Sequence, residues 1–150
     1  MTQFKTLLVP TDFEPASEAA IETAIQLATA FGGSIRLVHS YEIPMGASLG
    51  APVAPFGDYT PELERISREA LETQAAKYKT KFASIETRLR CGIPWREIIG
   101  AAEEEHADVI VMGTHGRHGL PHALLGSVAE KIVRMSPVPV LTVRATSKSE

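Results

Sequence analysis

The chain has 150 residues, 44% of them hydrophobic and 22% charged, with a formal charge of −3. These totals fit one soluble globular domain over residues 1–150 with a real core. They exclude a nucleic-acid binder, which would carry a basic stripe, a disulfide scaffold, since Cys91 stands alone, and a membrane-spanning chain, since no apolar run approaches bilayer thickness.

Taken in order, residues 5–9 form an apolar run stopped by Pro10 and read as a buried parallel strand, which leaves Thr11 and Asp12 at its C-terminal end. Pro15 suits a first helical turn. Ile21, Ala24, Ile25, Ala28 and Phe31 then recur at helical spacing until Gly32 and Gly33 end the helix. Ile35, Leu37 and Val38 make a second strand. Residues 40–59 hold Pro44, Gly46, Gly50, Pro52, Pro55 and Gly57, a long loop of the kind that serves as a lid or flexible segment. Pro61 opens a second helix expected to turn Leu63, Ile66, Ala70, Tyr78 and Phe82 inward. Residues 84–90 alternate between apolar or neutral and charged side chains, as an edge strand does. Pro94 starts a third helix through Ile98, Ile99 and Ala102. A buried strand follows at 109–112, then a helix at 127–135, then an apolar strand at 138–143.

The order β-α-β-α-β-α-β-α-β implies a parallel, doubly wound sheet with helices on both faces. Ligands of such sheets bind beyond the C-terminal strand ends, where strand order reverses. Asp12 and Gly113 both lie just past strand ends. Three isolated features carry bland readings: Cys91 as a small buried residue, Trp95 as helix-start packing, and Glu103, Glu104 and Glu105 as a solvated helix end, at the end of the helix dipole that disfavours acids.

Residues 109–128 organise the rest. A buried strand empties into a loop with Gly113 and Gly116, and after Gly126 and Ser127 a helix begins. Unpaired N–H groups at a helix start, the helix dipole and glycines that permit close approach suit this geometry to a phosphate. Ser127 can cap the helix or donate its hydroxyl. No lysine precedes Ser127, so this is not a P-loop, and the spacing is not G-x-G-x-x-G. His115, His118 and His122 have a spacing that could gather imidazoles, but glycines and a proline interrupt it and no carboxylate or thiol joins. No metal site is expected there.

The spacing G-x-x-G-x9-G-S resembles the nucleotide-binding signature of the universal stress protein family, and the stretch LLVPTDFEPAS resembles its first strand and Asp-bearing loop. The resemblance covers nearly the whole chain and implies a five-stranded sheet in the order 3-2-1-4-5. It implies ATP, with Mg²⁺, as cofactor. Carried over by position, Pro10, Thr11 and Asp12 match the loop that holds the adenosine, and Val38 the strand-two residue whose backbone meets the adenine. Met112, Gly113, Gly116 and Arg117 match the first part of the phosphate loop; Gly126, Ser127 and Val128 match its end. Ala129 departs from the Ser or Thr many family ATP binders have there.

The expected function is a cytoplasmic ATP-binding regulatory module of the stress response, without dedicated catalysis. The rivals are a slow ATPase or self-phosphorylating protein and a nucleotide-free interaction protein. The expected assembly is a homodimer through the strand carrying Val138, Val140, Leu141 and Val143. Pro139 lacks an N–H and suits an edge, a bare apolar edge would aggregate, and family members pair through this strand.

Overall fold

The computed structural model describes residues 3–43, 60–114 and 125–145. Five strands form one sheet: β1 (Thr6–Pro10), β2 (Ser34–Tyr41), β3 (Ile85–Cys91), β4 (Val109–Gly113) and β5 (Val140–Val143), in the order β3-β2-β1-β4-β5. Every pairing is parallel. Four helices connect them among the described residues: α1 (Pro15–Phe31), α2 (Thr60–Lys79), α3 (Pro94–Glu104) and α4 (Ser127–Met135). The expected doubly wound α/β fold and its strand order are therefore correct.

The two-residue period of a strand divides the core between the faces of the sheet. Leu7, Val9, Ile35, Leu37, Val109 and Val111 pack with α1 and α2, whereas Leu8, Val38, Ile110 and Met112 pack with α3 and α4. Helix α1 contributes small residues, Ala20, Ala24 and Ala28, which are fully buried. It stops at Gly32, whose φ of 66° is the left-handed cap that glycine adopts without cost.

Several local expectations change. Ile66 is 51% exposed, not inward; the buried residues of α2 are Leu71, Gln74, Ala75 and Tyr78. Cys91 is exposed because β3 is an edge strand and Cys91 is its last residue. The acids ending α3 are not simply solvated. Glu105 pairs with Arg36 at 3.1 Å and with Arg88, and Glu104 with Arg90 at 2.6 Å. Strand β5 begins at Val140, so Pro139 lies before it, and its carbonyl accepts the Ile110 N–H at 2.9 Å. Trp95 does pack against the α3–α4 core, with Arg96 and Lys131 over its ring.

The site follows from one detail of the sheet. Paired residues of β1 and β4 end at Leu8 and Ile110, yet the strands run on to Pro10 and Gly113. From β1 the chain winds to one side of the sheet and from β4 to the other, so this opening is the switch point.

Candidate functional site: a cavity at the switch point

A cavity of about 180 Å³ opens beyond the C-terminal ends of β1, β2 and β4. Its walls include Pro10, Thr11, Asp12, Val38, Met112, Gly113, Gly126, Ser127 and Val128. Nine of the eleven residues expected from the sequence therefore converge on one space. The other two, Gly116 and Arg117, lie outside the described residues, as do His115, His118, His122 and most of the 40–59 loop.

The loop after β1 is tied down on all sides. Thr11 donates its N–H to Val38 O at 2.9 Å. Its carbonyl accepts from His39 Nδ1 at 2.7 Å; a carbonyl only accepts, so Nδ1 carries the proton. Its hydroxyl donates to Gln74 Oε1 at 2.7 Å and accepts the Phe13 N–H at 3.0 Å. Phe13 has φ of 68°, a left-handed conformation that costs a non-glycine residue on the order of 1–3 kcal/mol and persists only where its surroundings over-determine it. The Phe13 ring rests on His39, with centroids 4.5 Å apart.

This turn aims Asp12. Its Oδ1 accepts the Ser17 hydroxyl at 2.7 Å and the Glu14 N–H at 3.0 Å. Its N–H donates to Ser17 Oγ at 3.1 Å. One carboxylate oxygen is thus spent on the loop, leaving Oδ2 as an acceptor for a ligand hydroxyl. Asp12 is the only Asp or Glu among the described lining residues, and its negative charge would repel phosphate placed beside it.

The opposite wall is the N-terminal end of α4. Gly126 is the N-cap of α4 and supplies no capping side chain. The first i→i−4 bond of α4 runs from Glu130 N to Gly126 O at 2.9 Å, so the N–H groups of Ser127, Val128 and Ala129 precede it. The Gly126 N–H itself is held by Thr114 O at 2.7 Å, which fastens the helix start to the end of β4. Gly113 has a packing reason to be glycine: a Cβ there would lie 2.7 Å from Ala16 Cβ and 2.8 Å from its carbonyl carbon. Its absence lets β4 press against the first turn of α1.

Ser17, His39, Ser40, Pro94, Ile98 and Thr114 also line the cavity and are not among the expected site residues. His39 and Thr114 carry a usable signal, since each sits at the C-terminal end of a strand in a sheet of this class. Ser17 and Gln74 carry none, because their roles depend on contacts that no local pattern encodes. Among the described residues no cluster of three or more His, Cys, Asp or Glu could hold a metal ion, and no helix is long and apolar enough to cross a membrane.

The model of the universal stress protein family matches residues 3–144. Universal stress protein MJ0531 of Methanocaldococcus jannaschii is 33% identical over 146 residues, spanning 97% of this chain and 85% of the relative. The solved structure of protein MJ0577 of the same organism superposes with a TM-score of 0.79 at 28% identity, over 97% of this chain and 99% of the other. A universal stress protein solved in complex with cAMP superposes at 0.63 with 26% identity, over 96% and 99%.

Proposed function

The chain belongs to the universal stress protein family, and we propose that it is an ATP-binding regulatory module of the stress response that works through occupancy rather than turnover. The observation that carries this reading is the pairing of two unlike walls in one cavity. One wall offers a fixed acceptor, Asp12 Oδ2, beside apolar Val38 and Met112. The other offers the N-terminus of α4, whose N-cap residue, Gly126, supplies no capping side chain. A nucleoside phosphate has complementary halves: hydroxyls and an aromatic base at one end, anionic oxygens at the other.

In this reading Pro10, Thr11, Asp12 and Val38 hold the adenosine, and Met112 leads into the phosphate loop. Gly113, Gly126, Ser127 and Val128 hold the phosphates from backbone N–H groups and one hydroxyl, and Gly116 and Arg117 complete that loop. With Asp12 the only carboxylate among the described lining residues, a bound Mg²⁺ would take most of its ligands from the nucleotide and water. The described lining residues include His39 but no lysine, which supports binding over phosphoryl transfer. The cAMP complex of a 26% identical relative supports adenine as the base.

The test is direct. Protein purified without added nucleotide is denatured, and the supernatant is analysed by chromatography and mass spectrometry. Released ATP, or ATP taken up in calorimetry with turnover well below about one per second, is the expected result. Binding of cyclic or monophosphate nucleotides in place of ATP would reassign the ligand. No adenine nucleotide by either route leaves a nucleotide-free interaction protein.

A further inference from the structure

We propose that Gln74, on α2 and outside the cavity, is a positioning residue for the ligand loop: it orients the Thr11 hydroxyl that fixes Phe13, and through that turn the Asp12 carboxylate. The proposal rests on the nucleotide reading and adds to it a link between the site and a helix that does not line it.

Gln74 is out of place in its setting. The neighbouring buried positions of α2 are Leu71, Ala75 and Tyr78, each 1% exposed or less, yet Gln74 itself is only 7% exposed. A buried amide destabilises the fold unless it is hydrogen-bonded. Its oxygen is bonded to Thr11 Oγ1 at 2.7 Å, across 63 residues of sequence, and Thr11 is itself 5% exposed. Packing alone asks for no such pair. Leucine at 74 would fill similar space without placing an amide inside the fold.

What the pair adds is direction. A hydroxyl has one proton and two lone pairs, and its rotor settles where the proton finds an acceptor. With the proton committed to Gln74, a lone pair faces the Phe13 N–H at 3.0 Å. That bond holds Phe13 at its left-handed φ of 68°, between Asp12 and the Glu14 N–H that anchors Asp12 Oδ1. The other two holds on Thr11 come from β2, through Val38 and His39. Gln74 is the hold that comes from a helix. Linkage is reciprocal, so whatever α2 contributes to ligand affinity, the ligand returns as tighter docking of α2.

The experiment compares wild type with Gln74→Met, which keeps the length and loses the acceptor, and Gln74→Glu, which keeps an acceptor oxygen. Three quantities are read: thermal stability, amide hydrogen exchange at Phe13 in nucleotide-free protein, and ATP affinity by calorimetry. In Gln74→Met, Phe13 exchange should speed up about tenfold. ATP affinity should fall about tenfold, as for one lost hydrogen bond, and Gln74→Glu should recover most of it. Unchanged Phe13 exchange, or affinity within about twofold of wild type, overturns the proposal. A lower melting temperature with unchanged affinity assigns Gln74 to packing alone and also overturns it. Wild-type protein that takes up no ATP is a separate outcome: it overturns the nucleotide reading and any ligand-positioning role with it.

Discussion

Gly113, Gly126 and Asp12 belong to the same sequence signatures but do different work. Gly113 makes room for Ala16, whose backbone cannot yield as a flexible side chain could. Gly113→Ala should therefore lower stability by roughly 1–3 kcal/mol through overpacking, read as an earlier urea midpoint. Gly126 has φ of −63° and ψ of 164°, a conformation open to any residue, so its backbone does not require glycine. Gly126→Val should fold and yet bind no ATP detectably, because a side chain at the N-cap would occupy the phosphate's approach. Ser127→Ala should bind more weakly by about ten- to hundredfold, the loss of one charge-assisted bond, since the helix N–H groups survive. If Gly126→Val binds ATP as wild type does, α4 does not hold the phosphates. Asp12→Ala should weaken ATP and ADP by similar factors in calorimetry, because Asp12 lies on the adenosine side of the proposed site; selective loss of ATP would move Asp12 to the phosphates. The glycine spacing made the two glycines legible in the sequence, and the strand end before it made Asp12 so. It could not reveal that Gly113 answers to Ala16, a contact between β4 and α1 that exists only once both elements sit on the sheet.

Among elements, the end of α3 shows where periodicity and dipole rules stop. Acids there oppose the helix dipole, yet Arg36 on β2 and Arg88 and Arg90 on β3 reach them. The alternation of residues 84–90 was legible as an edge strand; that its arginines would cross to α3 was not, because the partner lies beyond the next connection in sequence. Helix α2 repeats the lesson: its apolar spacing includes Ile66, but its burial begins at Leu71, and which turn meets the sheet is a tertiary matter. Burial alone would push the Glu105 carboxyl up, but hydrogen bonds and charge from Arg88 and then Arg36 outweigh it and hold it below its ordinary value of 4.5. A carboxylate with a lowered folded-state pKa contributes stability above its unfolded pKa and loses it as pH falls through the folded value. Glu105→Gln should thus destabilise the protein near neutrality by on the order of 1 kcal/mol, modest because the network is partly exposed. The gap between wild type and variant should close as the pH drops below about 4.5. A gap in melting temperature that persists unchanged into acid would mean the charge of Glu105 contributes nothing.

For the molecule as a whole, the open question is what covers β5. It pairs with β4 on one side only, Leu141 is 40% exposed, and Val133 and Met135 of α4 are 47% and 54% exposed. Its edge position follows from the strand order rather than from Pro139, which precedes the strand. With four residues, Val140–Val143, it is shorter than the 138–143 run and still apolar, with no charge to discourage pairing. We expect two chains to associate through this edge, giving twice the 16.2 kDa chain mass in sedimentation equilibrium at micromolar concentration. Leu141→Lys places a charge on the exposed face of the edge and should yield a monomer. None of the cavity's described lining residues belongs to β5; they come from β1, the start of α1, β2, α3, β4 and α4 with their adjoining turns. The monomeric variant should therefore bind ATP within about twofold of wild type, as distant and independent sites do. A wild type that sediments as a monomer would remove β5 as an interface. A Leu141→Lys protein that is monomeric and has lost ATP binding would mean instead that the cavity depends on the second chain, and that assembly and occupancy are coupled.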